Sequence, residues 1–144
     1  MQLPKLNFPK TYQFEIFKDK DRFFIQDSVR KTRLVLTPEE WVRQHWIRHF
    51  LEEKNYSASA LILERKIELN GLTKRIDLLV TEKTQAKILL EFKAPSITLS
   101  AKTFEQTARY NSVVGAKEII LSNGLEHIRA KLGQDGYQFI PFTF

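Results

Sequence analysis

Two short stretches, Arg75-Ile76-Asp77 and Glu91-Phe92-Lys93, hold residue types that can act on phosphate. Each lies in a run with the composition of a β-strand, Lys74 to Val80 and Lys87 to Ala94, the second closed by Pro95. Successive side chains of a strand point to opposite faces, so Glu91 and Lys93 share a face with Leu89, while Ile88, Leu90 and Phe92 take the other. By the same rule Asp77 shares its face with Arg75 and Leu79. Folded as a hairpin around Thr84, the two runs set Asp77 opposite Glu91, Arg75 opposite Lys93 and Leu79 opposite Leu89. Opposed residues have Cα atoms ~4.5–5.5 Å apart, and like charges so placed repel. Apolar residues on both faces imply a sheet covered on both sides, where a carboxylate loses water and needs compensation. Two carboxylates beside an ammonium suit a divalent cation such as Mg²⁺ or Mn²⁺, because Mg²⁺ takes oxygen ligands and uses one or two carboxylates plus substrate phosphate. Such a group supports hydrolysis of a phosphodiester: the ion polarises a phosphoryl oxygen and acidifies a bound water, and Lys93 orients that water or offsets developing charge. An ordinary hairpin with surface ion pairs Arg75–Glu91 and Asp77–Lys93 uses the same residues, and spacing alone does not decide between the two.

The elements that must position these residues follow from periodicity and turn chemistry. Residues 1–11 read as an irregular lead-in. Tyr12 to Phe17 and Arg22 to Gln26 are aromatic-rich β-type runs joined through Lys18-Asp19-Lys20-Asp21, which predicts a hairpin, and Thr32 to Leu36 is a further extended piece. At Thr37-Pro38-Glu39-Glu40 a Thr cap, a Pro at the first position and a Glu at capping-box spacing start a helix. It runs to about Lys54, with Trp41, Val42, Trp46, Ile47, Phe50 and Leu51 on one broad face. Ala60 to Leu69, closed by Asn70-Gly71, precedes the two chemical strands. After them come a helix over Ser100 to Val114, a strand over Lys117 to Leu121, a turn at Ser122-Asn123-Gly124, a helix over Leu125 to Leu132 and a last strand over Tyr137 to Phe142. This order predicts a single α/β domain over residues 29–144, a central mixed sheet flanked by helices, with residues 1–28 as an N-terminal extension carrying a β-hairpin.

Composition narrows the partners. The 144 residues suit one domain, and 42% hydrophobic with 12% aromatic residues is the profile of a packed globular protein. A net charge of +6 suits a polyanionic partner such as nucleic acid. Without cysteine there are no disulfides, thiolate zinc sites or cysteine nucleophiles. His45 and His49, four apart, match a metal-binding spacing but lack a third ligand of matching type. No apolar run approaches the ~20 residues of a membrane span and Met1 to Lys10 has no signal-like stretch, so a cytoplasmic protein without membrane contact is expected.

At Asp77 and Glu91-Phe92-Lys93 the sequence resembles the PD-(D/E)XK nuclease superfamily, whose hallmark is an Asp ending one strand and a Glu-x-Lys on the next. More narrowly it resembles the N-terminal nuclease domain of type I restriction enzyme R subunits, through Thr37 to Gln44, Lys74-Arg75-Ile76-Asp77, Glu91 to Pro95, Gln106 to Asn111 and Leu121 to Gly124. The resemblance covers about Val29 to Leu132 and implies a restriction-endonuclease-like fold. It also implies a metal held by Asp77, Glu91 and the Phe92 carbonyl, and Lys93 as the catalytic lysine. Glu40 or Glu39 would assist from the first helix, and Gln106 and Tyr110, four apart on the second, would line the site. DNA is the implied substrate, in restriction-modification. The residue before Asp77 is Ile76 rather than Pro, and the sequence holds no Walker-type loop for the motor such subunits carry, so the expectation is a stand-alone relative, a chain whose motor is a separate helicase or translocase subunit, or an excised fragment.

The same residues have plainer uses. Glu40 can serve only the capping box, Gln106 can be polar surface and Tyr110 a half-buried ring. Lys18, Lys20, Arg22, Arg30, Lys31 and Arg33, with Arg43, Arg75, Lys102 and Arg109, can rim a DNA groove or form a solvated surface. Trp41 and Trp46 fit the core better than a base-stacking platform. The reading that results is a Mg²⁺-dependent DNA endonuclease of low sequence specificity, in which a homodimer would supply two active sites. Its rivals are a non-cleaving DNA-binding module of the same fold and a structural or protein-interaction domain.

Overall fold

A computed structural model describes residues 3–144. Strands β1 (Ile16–Asp19), β2 (Arg22–Gln26) and β3 (Arg33–Val35) form an antiparallel three-stranded sheet, so the N-terminal hairpin gains the piece after Thr32 as a third strand. Helix α1 (Pro38–Arg48) follows and widens into a π-helical turn over His49–Glu53. Strands β4 (Leu61–Leu69), β5 (Leu72–Glu82), β6 (Gln85–Phe92), β7 (Glu118–Ser122), β8 (His127–Gly133) and β9 (Gly136–Ile140) lie in chain order in one six-stranded sheet, with α2 (Ala101–Val114) between β6 and β7. All neighbours are antiparallel except β6 and β7, the pair that α2 connects. The mixed sheet flanked by helices is therefore as expected.

Each face of this sheet carries its own core. Leu78, Val80, Ile88, Leu90 and Phe92 pack with Val42, Trp46 and Ile47 of α1 and Phe50 of the π-helical turn, while Leu79, Leu89 and Ile76 pack with Tyr110 and Val114 of α2. That double cover is why β5 and β6 read as near-continuous apolar runs rather than alternating ones. Both hairpins flanking β5 use two-residue turns with positive φ, Asn70-Gly71 and Lys83-Thr84, the backbone that matches the twist of paired strands.

Leu125 to Leu132, expected as a helix, begins with a turn and continues as β8. The Ser122-Asn123-Gly124 turn reverses the chain, the side chain of Asn123 accepts from the backbone N–H groups of Leu125 and Glu126, and residues 127–131 then pair antiparallel with β7. Helix-forming composition is overridden by a neighbouring edge that needs partners. Gly124 stands at φ +86°, and a Cβ there would lie 2.8 Å from Leu6 Cδ2 and 3.1 Å from Val42 Cγ2, so the turn packs directly on the N-terminal segment and α1.

The N-terminal segment docks through rings. Phe8 meets Trp46 edge-on with centroids 5.2 Å apart, Phe14 lies 5.0 Å from His45, and the Trp41 indole donates to the Pro4 carbonyl at 3.0 Å. Trp46 is core, as its helical face predicts. His45 Nδ1 lies 2.8 Å from the Trp41 carbonyl oxygen and donates to it. Among the described residues no three His, Cys, Asp or Glu side chains converge as a metal-holding group, and His45 and His49 take no third ligand.

Burial holds both His45 and His49 near pKa 4, well below an exposed imidazole. The unfolded chain therefore takes up protons first on acidification, and the stability these rings contribute is lost as pH falls from about 6.5 towards about 4. Thermal unfolding at pH 7 and pH 5 should show a fall of at least about 3 °C, and His45→Phe should reduce it.

Candidate active site

The β5–β6 register is the expected one, reached by an unexpected route. The two-residue turn by itself sets Thr81 opposite Ala86; Lys87 then bulges out, and Val80, Leu79 and Leu78 face Ile88, Leu89 and Leu90. Beyond Leu78 the ladder stops. The free backbone N–H of Phe92 donates instead to Asp77 Oδ2 at 2.9 Å, which ties the carboxylate of one strand to the end of the next. On its other side the Lys93 N–H donates to the Ser122 carbonyl at 2.9 Å, holding the segment after β6 against β7.

Strict alternation fails at Asp77. Ile76 packs on the α2 side with Leu79 rather than on the α1 side with Leu78. The cause is across the ladder: Glu64 adopts φ +55°, uncommon for a side-chain-bearing residue, and the β4–β5 pairing runs from Leu63–Leu78 to Arg65–Ile76 with no Glu64–Asp77 pair. Both strands change face at this point. A cavity of about 150 Å³ opens there, lined by Asp77, Phe92 and Glu64 from the sheet and by Thr37, Glu39, Glu40 and Arg43 from the start of α1.

Helix α1 presents its side chains there because of its cap. Thr37 Oγ1 accepts from the Glu40 N–H at 3.0 Å, one half of the expected capping box. The other half does not form: the Glu40 carboxylate is held by Arg43 through contacts of 2.6 and 2.9 Å and by Gln44 at 3.0 Å. Arg43, expected among rim cations, is only 6% exposed, pairs with Glu40 and lines the cavity.

The electrostatics centre on Asp77 and Glu91. Burial and then the charge of Asp77 push the Glu91 carboxyl up to about 9, with Lys93 opposing. Burial also raises Asp77, against the Phe92 N–H and the charge of Arg43. Glu91 Oε2 is buried with no partner of its own. Neither expected ion pair, Arg75–Glu91 or Asp77–Lys93, forms within 4.0 Å among the described residues. Glu39 is exposed and adds negative charge at both carboxyls, whereas Glu40 is engaged by Arg43.

The remaining expected residues lie elsewhere. Gln106 donates to the Tyr110 hydroxyl at 2.9 Å on α2, Gln106 is exposed, Tyr110 packs in the second core, and neither lines the cavity. Lys102 and Arg109 are exposed on the same helix, and exposed Arg75 sends its charge towards Glu64. Glu91 and Lys93 are half-buried and also stand outside the lining itself. Glu64 is the residue that sequence reasoning missed. Leu61, Leu63, Ile67 and Leu69 stand an even number of residues apart, interrupted at Arg65, so the pattern reads as one face throughout and does not announce the change.

The family described as the type I restriction enzyme R protein N terminus matches residues 38–142, from the first residue of α1 to just beyond β9. No curated protein matches the chain.

Proposed function

The chain belongs to the family of type I restriction enzyme R protein N termini, and from that premise we propose that it is a metal-dependent DNA endonuclease with Asp77, Glu91 and Lys93 at its centre. The observation that carries this reading is a pair of half-buried carboxyls from neighbouring strands, Asp77 held by the Phe92 N–H at 2.9 Å and Glu91 with one buried oxygen that has no partner among the described residues, the charge of Asp77 disfavouring ionisation of Glu91. Like carboxylates this close cannot both ionise without a compensating cation, and the arrangement suits one. Asp77, Glu91 and the Phe92 carbonyl are the oxygens that would hold Mg²⁺ or Mn²⁺. When bound, the ion would polarise a phosphoryl oxygen and acidify a water.

The chain's own groups do the rest. The Phe92 N–H fixes the Asp77 carboxylate in orientation, which spares the site the cost of ordering it during reaction. Lys93, with no acidic partner within 4.0 Å among the described residues, is free to offset charge that builds on the phosphate. The net charge of +6, with Lys102 and Arg109 exposed, supports attraction to a polyanion, and a separate translocase subunit or a second copy of the chain remains part of the proposal.

Incubation of supercoiled plasmid with the purified chain, in Mg²⁺, Mn²⁺ or EDTA, tests the reading. Nicked or linear DNA should accumulate only with the ion, and filter binding in EDTA should weaken as salt rises, with log K linear in log salt. A chain that binds DNA in this way but cuts none under any ion is the non-cleaving module instead.

A further inference from the structure

The N-terminal sheet lies outside the family-matched residues 38–142, yet side chains of the loop between β2 and β3 connect to residues that line the cavity. Asp27, fully buried just after β2, takes the Arg30 N–H at 2.6 Å and the Arg30 Nε at 3.2 Å on Oδ2, and the Gln44 side chain at 2.7 Å on Oδ1. Gln44, also fully buried, passes on to Glu40 at 3.0 Å, and its carbonyl accepts from the Ser28 N–H at 3.2 Å. Glu40 is gripped by Arg43, and Arg43 Nη1 stands 3.8 Å from Glu64 Oε1. Arg30 Nη1 then reaches Glu64 Oε2 at 2.8 Å. Six side chains thus close a ring: Arg30, Asp27, Gln44, Glu40, Arg43 and Glu64.

Three of its members, Glu40, Arg43 and Glu64, line the cavity with Asp77, and two, Asp27 and Arg30, belong to the N-terminal segment. The ring is buried at Asp27, Gln44 and Arg43 and open to solvent at Arg30 and Glu64; such a charge network is a poor source of stability, but it fixes the groups it contains in one arrangement. Arg30 is the closing member because a guanidinium presents donors in a rigid fork and here bonds two carboxylates at once, Asp27 through Nε and Glu64 through Nη1. We propose that Arg30 and Asp27 are positioning residues, through which the N-terminal sheet locks Glu40, Arg43 and Glu64 beside Asp77 and so completes the site. This rests on the nuclease reading given above.

The test compares Arg30→Ala, Arg30→Lys, Asp27→Asn and the control Asp19→Asn, an exposed carboxylate of the same sheet, in the full chain. The measurements are plasmid cleavage with Mn²⁺, Mn²⁺ affinity by calorimetry and thermal unfolding. Arg30→Ala should lower kcat about tenfold, the usual scale for a group that orients a site residue, with KM for DNA within about twofold. It should also weaken Mn²⁺ binding severalfold. Arg30→Lys keeps the charge but cannot span both carboxylates, so it should recover less than half of the rate. Asp27→Asn should resemble Arg30→Ala, and it serves in its place if Arg30→Ala does not fold. Asp19→Asn should match wild type. Wild-type kcat and Mn²⁺ affinity in Arg30→Ala or Asp27→Asn, full rescue by Arg30→Lys, or a raised KM with unchanged kcat would each overturn the inference. A wild type that binds no Mn²⁺ and cuts no DNA overturns the nuclease reading first, and this inference with it.

Discussion

Lys93→Ala should lower the rate of Mg²⁺-dependent DNA cleavage by at least about 100-fold while leaving DNA affinity in EDTA within about twofold. The asymmetry follows from where the ammonium sits. It is half-buried, its backbone N–H is fixed to the Ser122 carbonyl, and its charge is felt at Glu91. A cation held this way contributes most where negative charge develops at the reacting phosphate. Attraction to duplex DNA, by contrast, is spread over many exposed cations of a chain with net charge +6. Lys93→Arg should recover little, because a planar fork cannot replace a compact point charge at a fixed position. Equal losses in cleavage and in DNA affinity would place Lys93 on the DNA-binding surface and remove it from the chemistry.

Glu91→Gln should make the cation-free chain more stable at pH 8 and abolish its cleavage. The Glu91 carboxyl titrates near 9 when folded and near the ordinary value of 4.5 when unfolded. Between those values the folded chain holds a proton that the unfolded chain has lost, so stability falls as pH rises from about 4.5 to about 9. Gln is neutral throughout and removes that slope. In EDTA the wild-type melting temperature should therefore decline from pH 6 to pH 9, that of Glu91→Gln should stay level, and the gap at pH 8 should be several degrees, about the size of one or two kcal/mol. His45 and His49 act in the opposite sense below about 6.5, so the cation-free wild type should be most stable near pH 6 to 7. Added Mn²⁺ should raise the wild-type melting temperature more at pH 8 than at pH 6, because at the lower pH the ion competes with the proton.

Much of this arrangement is legible in the sequence, and what is not has identifiable physical causes. Thr37-Pro38-Glu39-Glu40 fixes where α1 begins, and Ser100 caps α2 by accepting from the Thr103 N–H at 3.2 Å, because capping is local chemistry. The facing of Leu79 by Leu89 is recoverable from hairpin symmetry alone, although the turn and the bulge at Lys87 each shift the register by one and cancel. Leu125 to Leu132 misleads because its helix-favouring residues are read locally, while their pairing with β7 is decided by the sheet. The change of face at Glu64 and Asp77 is hidden for a related reason: a left-handed backbone at one mid-strand residue leaves no mark in side-chain type, and Leu63 and Ile67 stay an even number of residues apart across it. Arg43 and Arg30 read as surface cations because charge is visible in a sequence and its partners are not. Their acidic partners at 40, 27 and 64 come from a helix, the loop after β2 and the middle of β4, which meet only in three dimensions.

The central claim is that Asp77 and Glu91 share one divalent ion, and calorimetric titration of Mn²⁺ into the wild type, Asp77→Asn and Glu91→Gln at pH 7.5 addresses it most directly. The account predicts saturable binding by the wild type, with proton release because the Glu91 carboxyl, raised to about 9, must ionise to hold the ion, and no measurable binding by either variant. Wild-type protein that takes up no Mn²⁺ even with DNA present, or variants that bind it as the wild type does, would contradict the account.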